Sequence, residues 1–555
     1  MSDDCYGSGG LQDNVAKSLH HFTTASANQY EQDFILLYGG ISRANNQIET
    51  IDNVDWTNKT AQRNQLLGEG YFMRGLYYMW LSQLYGDVPL ITSTTITDDM
   101  QQQVSAEEKI YPQILSDFVS AKNLMTTIRA YGSGHADKCC AEAYIARAYM
   151  FWAGFYKKAG ELAKGSAPAI ELVEQEGCPG GPLSQAEVVA GLRDIVSNGG
   201  YKLCDDFRSL WQYSNSLLWD EAHDGKGHAY EFIADMDRKN CFDQPGMGNG
   251  NTEELFQIQF MNASKWAIGG TYNNPRMYSN YLSCFWGLRN GATNDNGKRD
   301  KTYPFNQGWG QGTPSVNIWA DWTAAENAGG YKDLRKKATL IVLDGPEKEL
   351  QAYTFEKDDC EESGYAVKKY ADVNLDACAA DNDSWWSKAP GYTSSSLDNK
   401  QQGDHFEDFY LMRYSDVLLM LTELTGEAQW MNMVQRRAGV PETPYTWTAL
   451  QNERRWEFAL EGLRFNDMRR WSGIDSGEGS YAAKALQAQN GQLITVKSKP
   501  GNKMGHMTCS WAKRYAATNG FLPKPQAQIN LMNGKLEQNP GWDLSNPETQ
   551  YKVLY

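Results

Sequence analysis

The stretch ERRWEFALEGLRFNDMRRW, Glu453 to Trp471, packs arginines, carboxylates and tryptophans together at the density of a reacting centre. Wound as one helix through Leu463, it places Trp456, Ala459, Leu460 and Leu463 on one buried face. Arg454, Arg455, Glu457, Glu461 and Arg464 then spread over the flanks. Glu457 and Glu461 sit one turn apart, and Glu461 stands three residues before Arg464. Exposed pairs of this kind contribute about 0.2–0.5 kcal/mol each. Gly462 costs roughly 1 kcal/mol against alanine inside a helix, which points to a close backbone approach or a bend. A glycosidase-type acid needs a carboxyl whose pKa is raised. Here every carboxylate has arginines within a turn, and neighbouring cations lower it. The stretch reads as a structural ion-pair ribbon.

Working outward, FYLMRYSDVLLMLTEL (409–424) and AQWMNMVQRRAG (428–439) read as helices, and the turn-rich tail GFLPKPQAQINLMNGKLEQNPGWD is expected to lie over them. The first third has the same helical period. DFILLYGGISRANNQIETI carries Phe34, Leu37, Tyr38, Ile41, Ala44 and Ile48 at three- and four-residue steps. EGYFMRGLYYMWLSQLYGDVPL follows and stops at Gly86 and Pro89. KCCAEAYIARAYMFWAGFYKKAG alternates small and aromatic residues, which lets paired helices approach closely, as in tetratricopeptide (TPR) hairpins. Between residues 165 and 405, Gly, Asn, Asp, Ser and Trp dominate and periodicity fades, apart from a short strand around Leu255 and Gln257. Loops of that length are usually functional or disordered, and so many aromatics argue against disorder. The expected fold is mostly α: a TPR-like helical-hairpin superhelix with a large, irregular, loop-rich insert. The divisions are 1–165, 166–405 and 406–555.

The chain has 555 residues, 52 basic against 68 acidic, for a net charge of −16. That sign repels phosphate backbones, so no nucleic-acid partner is expected. Ten cysteines without a C-x-x-C pair and seven histidines without H-E-x-x-H offer no zinc motif. Acid-rich TNDNGKRD (293–300) leaves calcium possible without an EF-hand pattern, and no cofactor is expected. No apolar run is long enough to span a bilayer.

In order along the chain, SDD at Ser2–Asp4, GYFMRGLYYMWLSQLYGDVPLI, AYIARAYMFWAGFYKKA, NGGYKL, YKDLRKKAT, RYSDVLLMLTE, QRRAG, the opening stretch and LPKPQAQINLMNGKLEQNPGW resemble the motifs of the SusD/RagB family of outer-membrane nutrient-binding lipoproteins. The resemblance covers nearly the whole chain. It implies a non-enzymatic, lipid-anchored, glycan-binding protein on the extracellular face of the outer membrane. Such a protein acts as a lid on a SusC-like TonB-dependent transporter and passes it oligosaccharide or polysaccharide. Family members begin with a signal, an acylated cysteine and a first helical stretch, so those parts are expected to precede SDD. The short link between LTE and QRRAG departs from the family pattern.

A sugar ring presents an apolar face and a rim of hydroxyls, so its site combines flat rings with fixed donors and acceptors. The insert provides Trp266, Tyr272, Asn273, Asn274, Arg276, Tyr281, Trp286, Trp309 and Trp386, and the amino-terminal segment adds Asp3, Asp4 and Phe22 as candidate glycan contacts. Trp80, Trp152 and Trp456 lie at helical spacing and read as core. Asp333 and Arg335 read as a structural pair. Two alternatives remain open. One is a glycoside hydrolase drawing on Glu253, Glu254, Asp295 and Asp321; the other is a peptide- or protein-binding TPR scaffold.

Overall fold

Apolar residues at three- and four-residue steps form the first helices. The computed structural model describes residues 1–7, 14–128, 133–165, 167–211, 252–259, 285–287, 310–343, 361–371, 408–497, 502–506 and 509–543. Strand β1 (Cys5–Gly7) and helix α1 (Asn14–His21) are followed by α2 (Glu31–Thr50) and α3 (Thr60–Tyr85). Then come α4 (Tyr111–Leu124), α5 (Lys138–Phe151) and α6 (Gln185–Asn198). Helix α2 buries Phe34, Ile41 and Ala44 along one stripe, and α3 ends one residue before Gly86, as its sequence predicts. The carboxylate of Asp137 accepts from the Cys140 amide at 2.9 Å to start α5, and Ser184 with Glu187 forms a capping box on α6.

Each helix packs on the next, α2 on α3, α3 on α4, α4 on α5 and α5 on α6. This is the stacking of a helical-hairpin array, in which every unit buries its apolar face against its neighbours. Phe72 lies at the centre, with ring centroids 5.5 Å from Phe118, 5.2 Å from Tyr144 and 5.0 Å from Phe256. Small residues permit close approach of helix to helix, as at Gly154. A Cβ there would fall 2.5 Å from the Arg470 carbonyl oxygen.

Strand β2 (Glu254–Ile258), β3 (Gly312–Pro314), α7 (Val316–Gly329), α8 (Leu334–Thr339), β4 (Leu340–Val342) and β5 (Tyr365–Val367) lie within the 166–405 insert. Strand β3 pairs antiparallel with β1, and β4 with β5. Trp322 and Trp456 stack at 4.8 Å and tie α7 to the carboxy-terminal helices. Residues 409–413, expected to be helical, instead form strand β6 (Phe409–Arg413), antiparallel to β2. The reason is a period of two: Tyr410 and Met412 are buried while Phe409 and Leu411 are half-buried.

Helices α9 (Tyr414–Thr425) and α10 (Ala428–Arg437) follow, with α9 packed on α6 and on α10. The opening stretch is not one helix. It divides into α11 (Trp447–Glu457) and α12 (Arg464–Ser472). The chain turns between them, with Leu460 at φ 65° and Gly462 at φ 82°. A Cβ on Gly462 would meet nothing within 4 Å, so its glycine serves the bend. Lys369 Nζ donates to the Ala459 carbonyl at 2.9 Å and Arg413 Nη2 to that of Glu457 at 3.2 Å. Cations thus occupy the end of α11 that carries the negative pole. Helices α13 (Tyr481–Gln487), α14 (Trp511–Thr518) and α15 (Gln526–Leu531) complete the scaffold. The tail packs against the first helices rather than over α9 and α10: the Leu522 amide donates to Leu84 O at 2.8 Å and Asn539 Nδ2 to Tyr85 O at 3.0 Å.

Candidate functional site

The ribbon's charged side chains are buried, not spread over exposed flanks. Glu457 accepts from Arg437 Nη2 at 2.5 Å, Arg413 Nη1 at 2.9 Å and Arg335 Nη1 at 3.1 Å. Glu461 takes Arg413 through both oxygens and Lys369 Nζ at 2.7 Å. Glu253 bridges Arg413 and Arg437, and Arg335 also holds Asp333 and Glu453. A second chain links Arg147, Asp416, Arg454, Asp467, Arg470 and Glu423. Burial pushes the Glu457 carboxyl up, but Arg437, Arg413 and Arg335 outweigh it and hold it well below the usual range. For Asp416, Arg454 and Arg147 likewise overcome burial and bring the carboxyl to about 2. Such carboxylates stay ionised and are poor proton donors.

The structural reading of Asp333 and Arg335 holds, at 2.8 Å with both side chains 1% exposed. Three candidate contacts require correction. Asp3 and Asp4 are 3% and 1% exposed. Arg464 grips Asp3 at 2.9 and 2.7 Å, and Arg455 holds Asp4 at 2.6 Å. Their oxygens serve the ribbon and pin the amino-terminal segment to it. Phe22, 1% exposed, packs its ring on Phe465 at 5.8 Å, and its carbonyl accepts from Arg514 Nε at 2.5 Å. Trp286 is half-buried, 4.8 Å from the Tyr370 ring and 6.4 Å from that of Phe409. Trp266, Tyr272, Asn273, Asn274, Arg276, Tyr281, Trp309, Trp386 and the calcium candidate at 293–300 lie outside the described residues.

What the described residues do form is a cavity of about 570 Å³, within the range of small-molecule sites. Its walls come from α1 (Leu19), α3 (Trp80), α5 (Met150), β2 and β6 (Ile258, Phe409) and the α11–α12 bend with the start of α12 (Gly462, Phe465). Trp80, Phe409 and Phe465 line it half-buried, leaving ring surface accessible. Asn466 also lines it, its Nδ2 donating to Gln83 Oε1 at 3.0 Å and its Oδ1 accepting from Arg469 at 3.3 Å. The amide is therefore oriented yet retains hydrogen-bonding capacity. Arg454 and Asp467 stand behind this wall already paired to each other, at 2.8 Å.

Sequence reasoning placed Trp80 in the core and did not single out Phe465 or Asn466. The one available signal was Gln83, a polar side chain in the apolar stripe of α3. Ile258 at the end of β2 and Phe409 at the start of β6 both line this cavity.

These residues build a helical-hairpin scaffold closed by an arginine–carboxylate ribbon, with a cavity lined from α3, β6 and α12. The SusD family model matches residues 252–542, and a second family model, described as starch-binding associating with outer membrane, matches residues 8–150. The chain belongs to the SusD family. It is 21% identical over 415 residues to SusD-like protein P2 of Formosa agariphila, a match spanning 74% of this chain and 61% of that relative. Among solved structures, it superposes on a laminarin binding SusD-like protein with a TM-score of 0.62 at 20% identity, covering 98% of this chain and 92% of the other. It superposes on surface glycan-binding protein A from Bacteroides fluxus with a TM-score of 0.64 at 21% identity, over the same shares. These likenesses establish the fold. Among the described residues, no helix is long and apolar enough to cross a membrane.

Proposed function

We propose that this protein binds glycans at the outer-membrane surface, is held there by a lipid anchor, and hands oligosaccharide to a SusC-like TonB-dependent transporter. The observation that carries the binding step is the cavity, where the accessible rings of Trp80 and Phe465 flank the oriented Asn466 amide. Rings suit the apolar face of a pyranose, and the amide suits its hydroxyls. The laminarin-binding relative supports a glucan as the first ligand to try.

Native affinity electrophoresis through laminarin and a panel of other polysaccharides tests this. The wild type is retarded by at least one, and Trp80→Ala and Phe465→Ala abolish the retardation. If no polysaccharide retards the wild type, the peptide-binding scaffold gains and this reading falls. Affinity lies in the micromolar-to-millimolar range, because each sugar hydrogen bond replaces one to water and nets only about 0.5–1.5 kcal/mol; nanomolar binding of a simple oligosaccharide would contradict it.

The hydrolase alternative has a narrow stock of carboxyls. Glu253 is committed to Arg413 and Arg437, and Asp321 to Arg455. Burial, with Asp408 beside it, raises the Glu254 carboxyl well above the usual range, as an acid catalyst needs. That side chain is, however, 1% exposed. Release of reducing ends from a glycan panel, abolished by Glu254→Gln, would establish the enzyme.

A further inference from the structure

We infer that Asn533 is a site of spontaneous modification: its carboxamide is lost through a succinimide formed with the Gly534 amide, leaving isoaspartate and aspartate. Four asparagines among the described residues precede a glycine: Asn198, Asn490, Asn519 and Asn533. Asn249, Asn290 and Asn296 also do so and lie outside the described residues. The reaction needs a backbone nitrogen and a side-chain carbonyl carbon free to meet, so a hydrogen bond on either one holds it back. Three of the four are held. Asn198 Nδ2 donates to Asp194 Oδ1 at 2.7 Å, and the Gly199 amide to Ile195 O at 2.9 Å. Asn490 Oδ1 accepts from the Cys509 amide at 3.1 Å. Asn519, 9% exposed, accepts from the Asp475 amide at 2.9 Å and donates to Asp475 Oδ1 at 2.8 Å, while the Gly520 amide donates to Thr518 Oγ1 at 3.2 Å. Asn533 and Gly534, by contrast, are both exposed. Neither the carboxamide nor the Gly534 amide makes a hydrogen bond among the described residues. The two residues form the centre of a tight turn, with φ 49° and 83°, closed by the Lys535 amide donating to Met532 O at 3.1 Å. Two positive φ values mark the type I′ turn that Asn–Gly favours. A Cβ on Gly534 would meet nothing within 4 Å, so the turn has room to bring its nitrogen onto the carboxamide.

The Gly534 nitrogen, giving up its proton, bonds to Cγ of Asn533, and ammonia leaves with that proton. Water then adds to one imide carbonyl. Opening at Cγ gives aspartate; opening at the backbone carbonyl gives isoaspartate, whose main chain is longer by one carbon. The turn fastens the tail: Lys535 O accepts from the Gln103 amide at 2.9 Å, its Nζ pairs with Asp98, and Leu536 beside it is buried. The added carbon falls between Met532 and Lys535, so isoaspartate unfastens the tail where aspartate does not.

The full chain is aged in mildly alkaline buffer made with heavy-oxygen water, folded and in parallel in guanidinium chloride, and its peptides are read by tandem mass spectrometry. In the folded chain the label enters at Asn533 ahead of Asn198, Asn490 and Asn519. In denaturant the four converge, because the hydrogen bonds that hold three of them are gone. Labelling of any of those three as fast as Asn533 in the folded chain, or a ranking unaltered by denaturant, overturns the proposal. The variant Asn533→Asp separates charge from backbone length. It keeps the Tm of fresh wild type, and the aged isoaspartyl protein melts lower; equal Tm values for the variant and the aged protein overturn the unfastening of the tail.

Discussion

Arg413 and Glu461 meet fork to fork, Nε to Oε2 at 2.9 Å and Nη2 to Oε1 at 3.0 Å, with the two side chains 1% and 4% exposed. The pair joins the strand leaving the insert to the bend between α11 and α12, so one contact fixes two walls of the cavity. Its parallel hydrogen bonds hold direction as well as distance.

The same network makes Glu457 the most sensitive position. Glu457→Gln leaves Arg437, Arg413 and Arg335 short of a shared anion inside the protein. Breaking a buried pair from one side costs about 3–5 kcal/mol. The urea midpoint should fall accordingly with little change in m; an unaltered midpoint would show that the ribbon carries little stability.

Asp3 predicts an acid limit. Burial raises its carboxyl, but Arg464 and Arg455 outweigh that and lower it to about 2, from 3.8. A depressed acid contributes stability that is complete above 3.8 and is lost as pH falls through about 2. Asp3→Asn should flatten that part of the stability–pH curve. It should also speed amide exchange in Cys5–Gly7, the strand that begins two residues after Asp3.

His20 and His21 set a second, milder limit. Burial brings His20 down to about 3 from 6.5 and lowers His21 well below its usual value. Their rings lie 4.8 Å apart beside Trp511. Gln489 and Tyr6 face His20, which the amino terminus lowers further, and His20 and Lys17 bear on His21. A base lowered on folding contributes stability that is complete above 6.5 and is lost as pH falls from there toward 3, at up to about 1.4 kcal/mol per pH unit for each group. Exchange in Asn14–His21 should therefore accelerate between pH 6.5 and 4.5. His20→Gln, which keeps a partner for Gln489, should lessen the effect.

Two glycines separate two kinds of constraint. At Gly462 only the positive φ resists a side chain, so Gly462→Ala should cost about 1 kcal/mol. At Gly154 the new Cβ meets the Arg470 carbonyl, and overpacking of that kind costs about 1–3 kcal/mol or more. Thermal denaturation of the two variants should rank Gly154→Ala as the more damaging.

The helical array was legible because apolar spacing is a local property: α2, α3 and the start of α5 stand close to where their stripes place them. The structural character of the ribbon was legible for a similar reason, since arginines one turn from each glutamate already lower its pKa. Its burial was not. Helical spacing distributes Arg454, Glu457 and Glu461 around the axis, and nothing local says that Arg335, Lys369, Arg413 and Arg437 arrive from elsewhere to enclose them. Asp3, Asp4 and Phe22 were misplaced on the same ground. The aspartates were singled out because SDD resembles the family's acidic segment, and only the structure shows Arg455 and Arg464, more than four hundred residues onward, occupying both carboxylates.

The sequence by itself determined the helical scaffold, the family and the role of the arginine–carboxylate stretch, because period and composition act within a few turns of chain. Only the tertiary structure decided that α11 breaks from α12, that Phe409–Arg413 is a strand, and that Trp80, Phe465 and Asn466 share one cavity. Those outcomes depend on long-range partners: cations that stabilise the carbonyls ending α11, a strand from the far side of the insert, and helices that converge only when the superhelix closes.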